Sequence, residues 1–267
     1  MNQQDIVAAV KATFADDEAV RGLFLSGSFG RGTADEWSDV DLLAVVGKAD
    51  QRGVADRFRT ALNGLAPIVY WNELDRGGFL VNAVTEDWLR CDLNMAEPGE
   101  LGQKARNAII PLIDRDGIFN SLPDTLPPRS PSPQSLRYQI NEFIRVLGLT
   151  PVAMGREEYL TAVVGHGLLR GLLTDLFMLD ITLPDPGGIL HLSKLLPAWQ
   201  IQLMRDLPFP DATRDAVISA NLAVAREFMP RAKAMAEKLG VEWPKDFEAA
   251  TKRVLETKLG VAADWQT

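Results

Sequence analysis

Residues 120–135 read NSLPDTLPPRSPSPQS, five prolines in sixteen positions. Each proline fixes φ and removes a backbone donor, so neither a helix interior nor a central strand runs through this stretch. The chain is therefore expected to fold as two parts joined by an exposed connection, and the two parts follow different patterns. Between Gly22 and about Phe119, short apolar runs alternate with turn residues: GLFLSGS, VDLLAVV, APIVYW, FLVNAVT, WLRCDLNMA and AIIPLID. Their lengths and flanks predict strands. Between the second and third, ADQRGVADRFRTALNGL repeats its apolar residues at helical spacing, with Gly64 near its end as a stop. Beyond the connection the pattern is long and helical, in SLRYQINEFIRVLGL, REEYLTAVVGHGLLRGLLTDLFML, LHLSKLLPAWQIQLMRDL, TRDAVISANLAVAREFMPRAKAMAEKLG and PKDFEAATKRVLETKLG. The expected class is α+β. A mixed β-sheet with flanking helices occupies residues 1–119, a linker residues 120–135, and a helical bundle residues 136–267.

A chain of 267 residues should bury roughly 70 to 75% of its unfolded surface and needs no covalent staples. The single Cys91 excludes an internal disulfide, and with two His in the chain it leaves little soft-metal chemistry. A cytoplasmic location is the default expectation. The start, MNQQDIVAAVKATFADDEAV, lacks the basic region and apolar core of a signal peptide and predicts an amphipathic helix. The most apolar stretch, residues 159–183, is interrupted by His166, Arg170, Asp175 and Asp180, so it is expected to be a core helix rather than a membrane span.

Charge narrows the partners. The 28 Lys and Arg against 36 Asp and Glu give a net charge of −8, with no visible basic stripe, which disfavours a nucleic-acid backbone as ligand. A surplus of carboxylates suits cationic small molecules or divalent metals, and equally a plain anionic surface.

Residues 23–46, LFLSGSFGRGTADEWSDVDLLAVV, carry the chemistry. An apolar strand ends in Gly27-Ser28, ten residues follow, and Asp39-Val40-Asp41 opens a second strand. A glycine at a strand end lets backbone N–H groups approach an anion closely, and Ser28 adds a hydroxyl donor there, which makes a phosphate seat. Side chains at i and i+2 of a strand share a face, so Asp39 and Asp41 project together while Val40 and Leu42 enter the core. Two carboxylates on one face repel unless a hard cation sits between them, and Mg²⁺ prefers such oxygen donors. Asp92, between Cys91 and Leu93 in another apolar run, is a third acid whose burial requires a partner. It is expected either opposite the pair or at a solvated sheet edge.

The pattern Gly-Ser, ten residues, Asp-x-Asp between two strands, then an acid on a later strand, resembles the polymerase-β-like nucleotidyltransferase superfamily. Phe29-Gly30-Arg31-Gly32-Thr33 and Ser38 resemble its small-molecule branch, the aminoglycoside and lincosamide nucleotidyltransferases, which also join a catalytic α/β domain to a helical one. The resemblance implies an Mg-dependent enzyme that transfers a nucleoside monophosphate, AMP from ATP or that of another nucleoside triphosphate, to a small-molecule hydroxyl, conferring antibiotic resistance. It implies that Asp39 and Asp41 bind two Mg²⁺ ions and that Asp92 completes one metal site and serves as a candidate base. Gly27 and Ser28 would hold the outer phosphates, with Arg31 as a charged donor. Ser38 belongs to the nucleotide side of the site, although Ser38 and Thr33 are better suited to hydrogen bonds within the loop. The alternative is a regulatory protein that nucleotidylates a protein partner.

In the helical half, Lys194 is a candidate triphosphate ligand or a snorkelling surface lysine. His166 and Arg170, four residues apart, share a helix face; with Glu157, Glu158 and Asp175 they are candidates either for contact with the acceptor or, the ordinary case on a bundle helix, for a solvated stripe. Glu142 and Asp175 are alternative bases. Trp37, Trp71 and Trp88 are expected to pack, one of them with a base-stacking role in reserve. The apolar helices are compatible with a homodimer.

Overall fold

A computed structural model describes residues 1–75, 78–184 and 188–265, with the side chain of residue 189 not described. The chain divides into two compact units, Met1–Pro127 and Pro128–Thr267, and the division falls inside the proline-rich stretch.

The first unit is built on a six-stranded sheet in the order β3-β4-β5-β2-β1-β6. Its strands are β1 (Val20–Leu25), β2 (Val40–Val46), β3 (Ile68–Asp75), β4 (Phe79–Thr85), β5 (Arg90–Ala96) and β6 (Ile110–Asp114), one for each predicted run. β2 and β5 are parallel, and the other neighbours are antiparallel. Two helices cover one face: α1 (Gln3–Phe14) and α3 (Gln51–Asn63). α1 starts at Asn2, whose side chain accepts from the Asp5 amide while the Asp5 carboxylate accepts from the Asn2 amide. Ile6, Val10 and Phe14 of α1 and Val54, Phe58 and Leu62 of α3 meet the inward residues Val40, Leu42, Ala44, Cys91, Leu93 and Met95. On the opposite face, Phe24, Leu43, Val45 and Ile109 form a smaller apolar cluster. The period of two in β2 and β5 thus sends Val40 and Leu42 inward and leaves Asp41 and Asp92 on the other face.

Between β1 and β2 the chain makes one short helical turn, α2 (Gly27–Gly30), and a second, α4 (Ile118–Ser121), follows β6. The first helix of the second unit is α5 (Pro133–Gly148), which starts three residues before the predicted helical part. Pro133 occupies the first helical turn, where a missing N–H costs nothing, and Ser132 caps it by accepting from the Ser135 amide at 3.2 Å. α6 (Thr150–Gly155), α7 (Tyr159–Leu179), α8 (Leu192–Leu195), α9 (Ala198–Asp206), α10 (Arg214–Leu239) and α11 (Lys245–Leu259) follow. The single helix predicted across residues 190–207 is two, because Pro197 cannot continue the ladder of α8. α7 has the length and apolarity to cross a membrane. Here it packs against α5 and α10, with Leu169, Leu173 and Leu176 buried. Phe143 of α5 stacks on Phe228 of α10 with ring centroids 3.8 Å apart, both fully buried. Removing either ring would cost about 3 to 5 kcal/mol.

Candidate active site

The site is assembled where β1 ends and β2 begins. Ser26 leaves β1 with its amide donating to the Asp41 carbonyl at 2.8 Å, which ties the turn to the first residues of β2. Gly27 follows at φ +56, a conformation glycine adopts without strain. A Cβ on Gly27 would overlap the Asp41 carboxylate, so this residue must also be side-chain-free for Asp41 to stand where it does. Gly30 has a similar constraint, since a Cβ there would overlap the Ala108 carbonyl. Ser28 is 4% exposed, and its hydroxyl has no hydrogen-bond partner. A buried donor left unmet costs about 1 to 3 kcal/mol, so a group that accepts from it, such as a phosphate oxygen, would be favoured there.

Asp41 and Asp92 stand directly opposite each other on the parallel strands β2 and β5. Asp39 precedes β2 by one residue, and its Oδ2 lies 3.6 Å from Nη1 of Arg90. Burial, followed by the charges of Asp39 and Asp92, raises the pKa of Asp41 to about 6, against the opposing effect of Arg31 and Lys104. Burial also raises Asp92, against a hydrogen bond from Asn82 and the charge of Arg90. Beneath the pair, burial pushes the Cys91 thiol well up, so it stays a neutral core residue. This is a cluster of carboxylates held closer than their charges favour.

The donor set fits a hard divalent cation: oxygen-only ligands, mutual repulsion a cation would relieve, and an unmet hydroxyl on the adjoining turn. Among the described residues no group of three His, Cys, Asp or Glu side chains is already arranged to hold a metal. Asp39 is instead drawn toward Arg90.

The other sequence-derived candidates fall in several environments. Arg31 is half-buried at the C-terminal end of α2, near enough to act on Asp41. Ser38 is engaged within its loop, accepting from the Asp35 amide at 2.9 Å and donating to the Asp35 carboxylate at 3.0 Å. Lys194 lies exposed on α8 in the second unit. Glu142 is held by Arg145 in a two-pronged pair at 2.8 and 2.6 Å.

The expected solvated stripe forms only in part: Glu157, Glu158 and Asp175 are exposed, but His166 and Arg170 are not. His166 and Arg170 are 2% and 8% exposed. The His166 ring lies between Asn221 Oδ1 at 3.0 Å and the Pro208 carbonyl at 3.1 Å, and burial lowers its pKa. Arg170 donates to the carbonyls of Leu207 and Met204 and lies 3.9 Å from the Phe209 ring centre. The pair satisfies backbone carbonyls of the last turn of α9 and of the α9–α10 connection, which lack helix partners. Two tryptophans also depart from expectation. Trp71 packs on Phe58 with ring centroids 5.9 Å apart, whereas Trp37 and Trp88 sit in connections at 79% and 77% exposed. Arg90, Asn82 and Lys104 were missed in the sequence. Asn82 meets Asp92 through the pairing of β4 with β5, and Arg90 lies two residues before Asp92 on β5, which the alternation of these strands could have revealed; Lys104 lies in a connection without pattern.

The family model described as streptomycin adenylyltransferase matches residues 1–257. The chain belongs to the streptomycin adenylyltransferase family. Membership places it among nucleotide-transferring enzymes. Its fold is similar to that of an aminoglycoside 6-adenyltransferase from Bacillus subtilis, at 16% identity over 94% of this chain and 95% of the other, with a TM-score of 0.43. A Cid1 poly(U) polymerase is 17% identical over 84% of this chain and 65% of that one, TM-score 0.28. The CdnE cyclic dinucleotide synthase of Elizabethkingia meningoseptica is 13% identical over 97% and 90%, TM-score 0.24. Comparison with curated protein sequences found no match.

Proposed function

We propose that this family member transfers AMP from ATP to a hydroxyl of a small-molecule antibiotic of the aminoglycoside type. The observation that carries this reading is the position of Asp41, between the Gly27-Ser28 turn on one side and Asp92 on the neighbouring strand on the other. A phosphate-accepting turn and a carboxylate pair side by side suit nucleotidyl transfer. The family match supports the choice of an adenylyl donor and an aminoglycoside acceptor.

The roles divide by element. The Gly27 backbone and the Ser28 hydroxyl seat the outer phosphates, and Arg31 adds charge there. Asp39, Asp41 and Asp92 are the residues that would hold two Mg²⁺ ions. When bound, such ions stabilise charge on the α-phosphate and make a hydroxyl more acidic. Asp92, whose pKa burial raises, is the carboxylate that receives the acceptor's proton. Asn82 and Arg90 orient Asp92 and Asp39. The first unit is the catalytic domain and the second binds the acceptor, with Lys194 a further candidate for the triphosphate.

The test is pyrophosphate release with ATP, GTP, CTP and UTP against aminoglycosides, lincosamides and purified cell protein, with Asp39→Ala as control. Release with ATP and an aminoglycoside supports the proposal. Label appearing only on protein selects the regulatory alternative, and no release with any acceptor removes the enzyme reading.

A further inference from the structure

The connection between β5 and β6 brings a cation that the Gly-Ser and Asp-x-Asp motif does not contain. Lys104 stands two residues before the short turn Arg106–Ala108. The carbonyl of Ala108 presses so closely on Gly30 that no Cβ fits between them. The short turn Arg106–Ala108 therefore packs against α2, the turn that bears Gly27 and Ser28. The cavity that Lys104 lines includes Leu43 and Asn94, the next residues after Asp41 and Asp92 on the same face of β2 and β5, and with Arg31 its charge acts on Asp41.

Lys104 is half-buried at the margin of a cavity of about 440 Å³, shared with Lys48, Asn94, Glu97 and Glu100. Although two glutamates line the same cavity, Lys104 makes no ion pair within 4.0 Å among the described residues. Partial desolvation of an ammonium without a counter-charge is unfavourable. On α2, against which Arg106–Ala108 packs, the buried Ser28 hydroxyl is also without a partner. Two unmet donors of different chemistry thus lie on neighbouring segments of the chain. A single anion with several oxygens, such as a triphosphate, satisfies both.

We infer that Lys104 binds the outer phosphates of the nucleoside triphosphate beside Gly27 and Ser28, so that the first unit carries its own triphosphate cation. The inference rests on the nucleotidyl-transfer reading of this site. Lys104 is a binding residue for the part of the nucleotide that leaves as pyrophosphate, and AMP itself makes no use of it.

The experiment is calorimetric titration of the full chain, without acceptor, with ATP and separately with AMP, both in the presence of Mg²⁺. Lys104→Ala should weaken ATP binding about tenfold or more, the loss typical of a charged hydrogen bond, and leave AMP within about twofold. Lys104→Arg should restore most of the ATP affinity. Lys48→Ala, in the same cavity but not among the charges acting on Asp41, should change neither. Unchanged ATP affinity in Lys104→Ala overturns the inference. So does an equal loss for ATP and AMP, which marks a structural role. If the unaltered protein binds no nucleoside triphosphate, the transfer reading itself fails and this inference goes with it.

Discussion

Gly27 and Asp41 compete for the same space: a methyl group on Gly27 would overlap the Asp41 carboxylate. The turn that offers donors to an anion and the acid that would hold a metal are therefore placed by one steric relationship. Neither can shift without the other, because the Ser26 amide also bonds the Asp41 carbonyl at 2.8 Å. Gly27→Ala must expel Asp41 from its position and also adopt φ +56 with a side chain. The expected result is about a hundredfold loss of kcat and about 1 to 3 kcal/mol of stability, read from steady-state rates and denaturant unfolding.

Ser28→Ala separates binding from folding. The hydroxyl is buried and unpartnered in the nucleotide-free protein, so its removal should leave stability unchanged or raise it slightly. Affinity for ATP should fall about tenfold, because a donor to the phosphate is lost. A stability loss above about 1 kcal/mol with unchanged ATP affinity would show that the hydroxyl serves the fold instead.

Asp41 gives the protein a pH signature. Its folded pKa of about 6 lies above the ordinary aspartate value of 3.8, so between these values the folded state binds more protons than the unfolded state. Stability then falls as pH rises through this window. The neutral Asp41→Asn removes that effect and should stabilise the metal-free protein at pH 7 by about 1 to 2 kcal/mol, the full linkage value being reduced because the group is partly solvated. The variant should also lose turnover. Thermal unfolding of both proteins at pH 4 and pH 7 without divalent metal measures the difference, which should be smaller at pH 4.

Arg170→Met tests the helical unit. It leaves the carbonyls of Leu207 and Met204 without their donor in a buried setting. The expected loss is about 2 to 4 kcal/mol, seen as a lower denaturant midpoint, with Arg170→Lys recovering only part because an ammonium cannot fork to two carbonyls.

The fold was legible wherever period and punctuation agree. All six strands matched apolar runs, since each run is bounded by turn residues. Asp39 and Asp41 were expected on one face because the i, i+2 rule needs no tertiary knowledge. The pairing of Asp41 with Asp92 needed more: β2 and β5 are sequence-distant and become neighbours only through a parallel crossover. His166 and Arg170 misled because polar residues on an apolar helix look solvated in one dimension. What buries them is the α9–α10 connection, whose unpaired carbonyls require donors. Pro197 was visible in the sequence, and its power to split the helix there was underweighted.

The central claim is that this site moves an adenylyl group. Incubation with Mg²⁺, streptomycin and ATP labelled at either the α- or the γ-phosphate tests it most directly, with Asp41→Asn in parallel. The account predicts label in streptomycin from the α position alone, none from γ, and none from either with Asp41→Asn. Transfer of the γ label, or equal α transfer by Asp41→Asn, would contradict it.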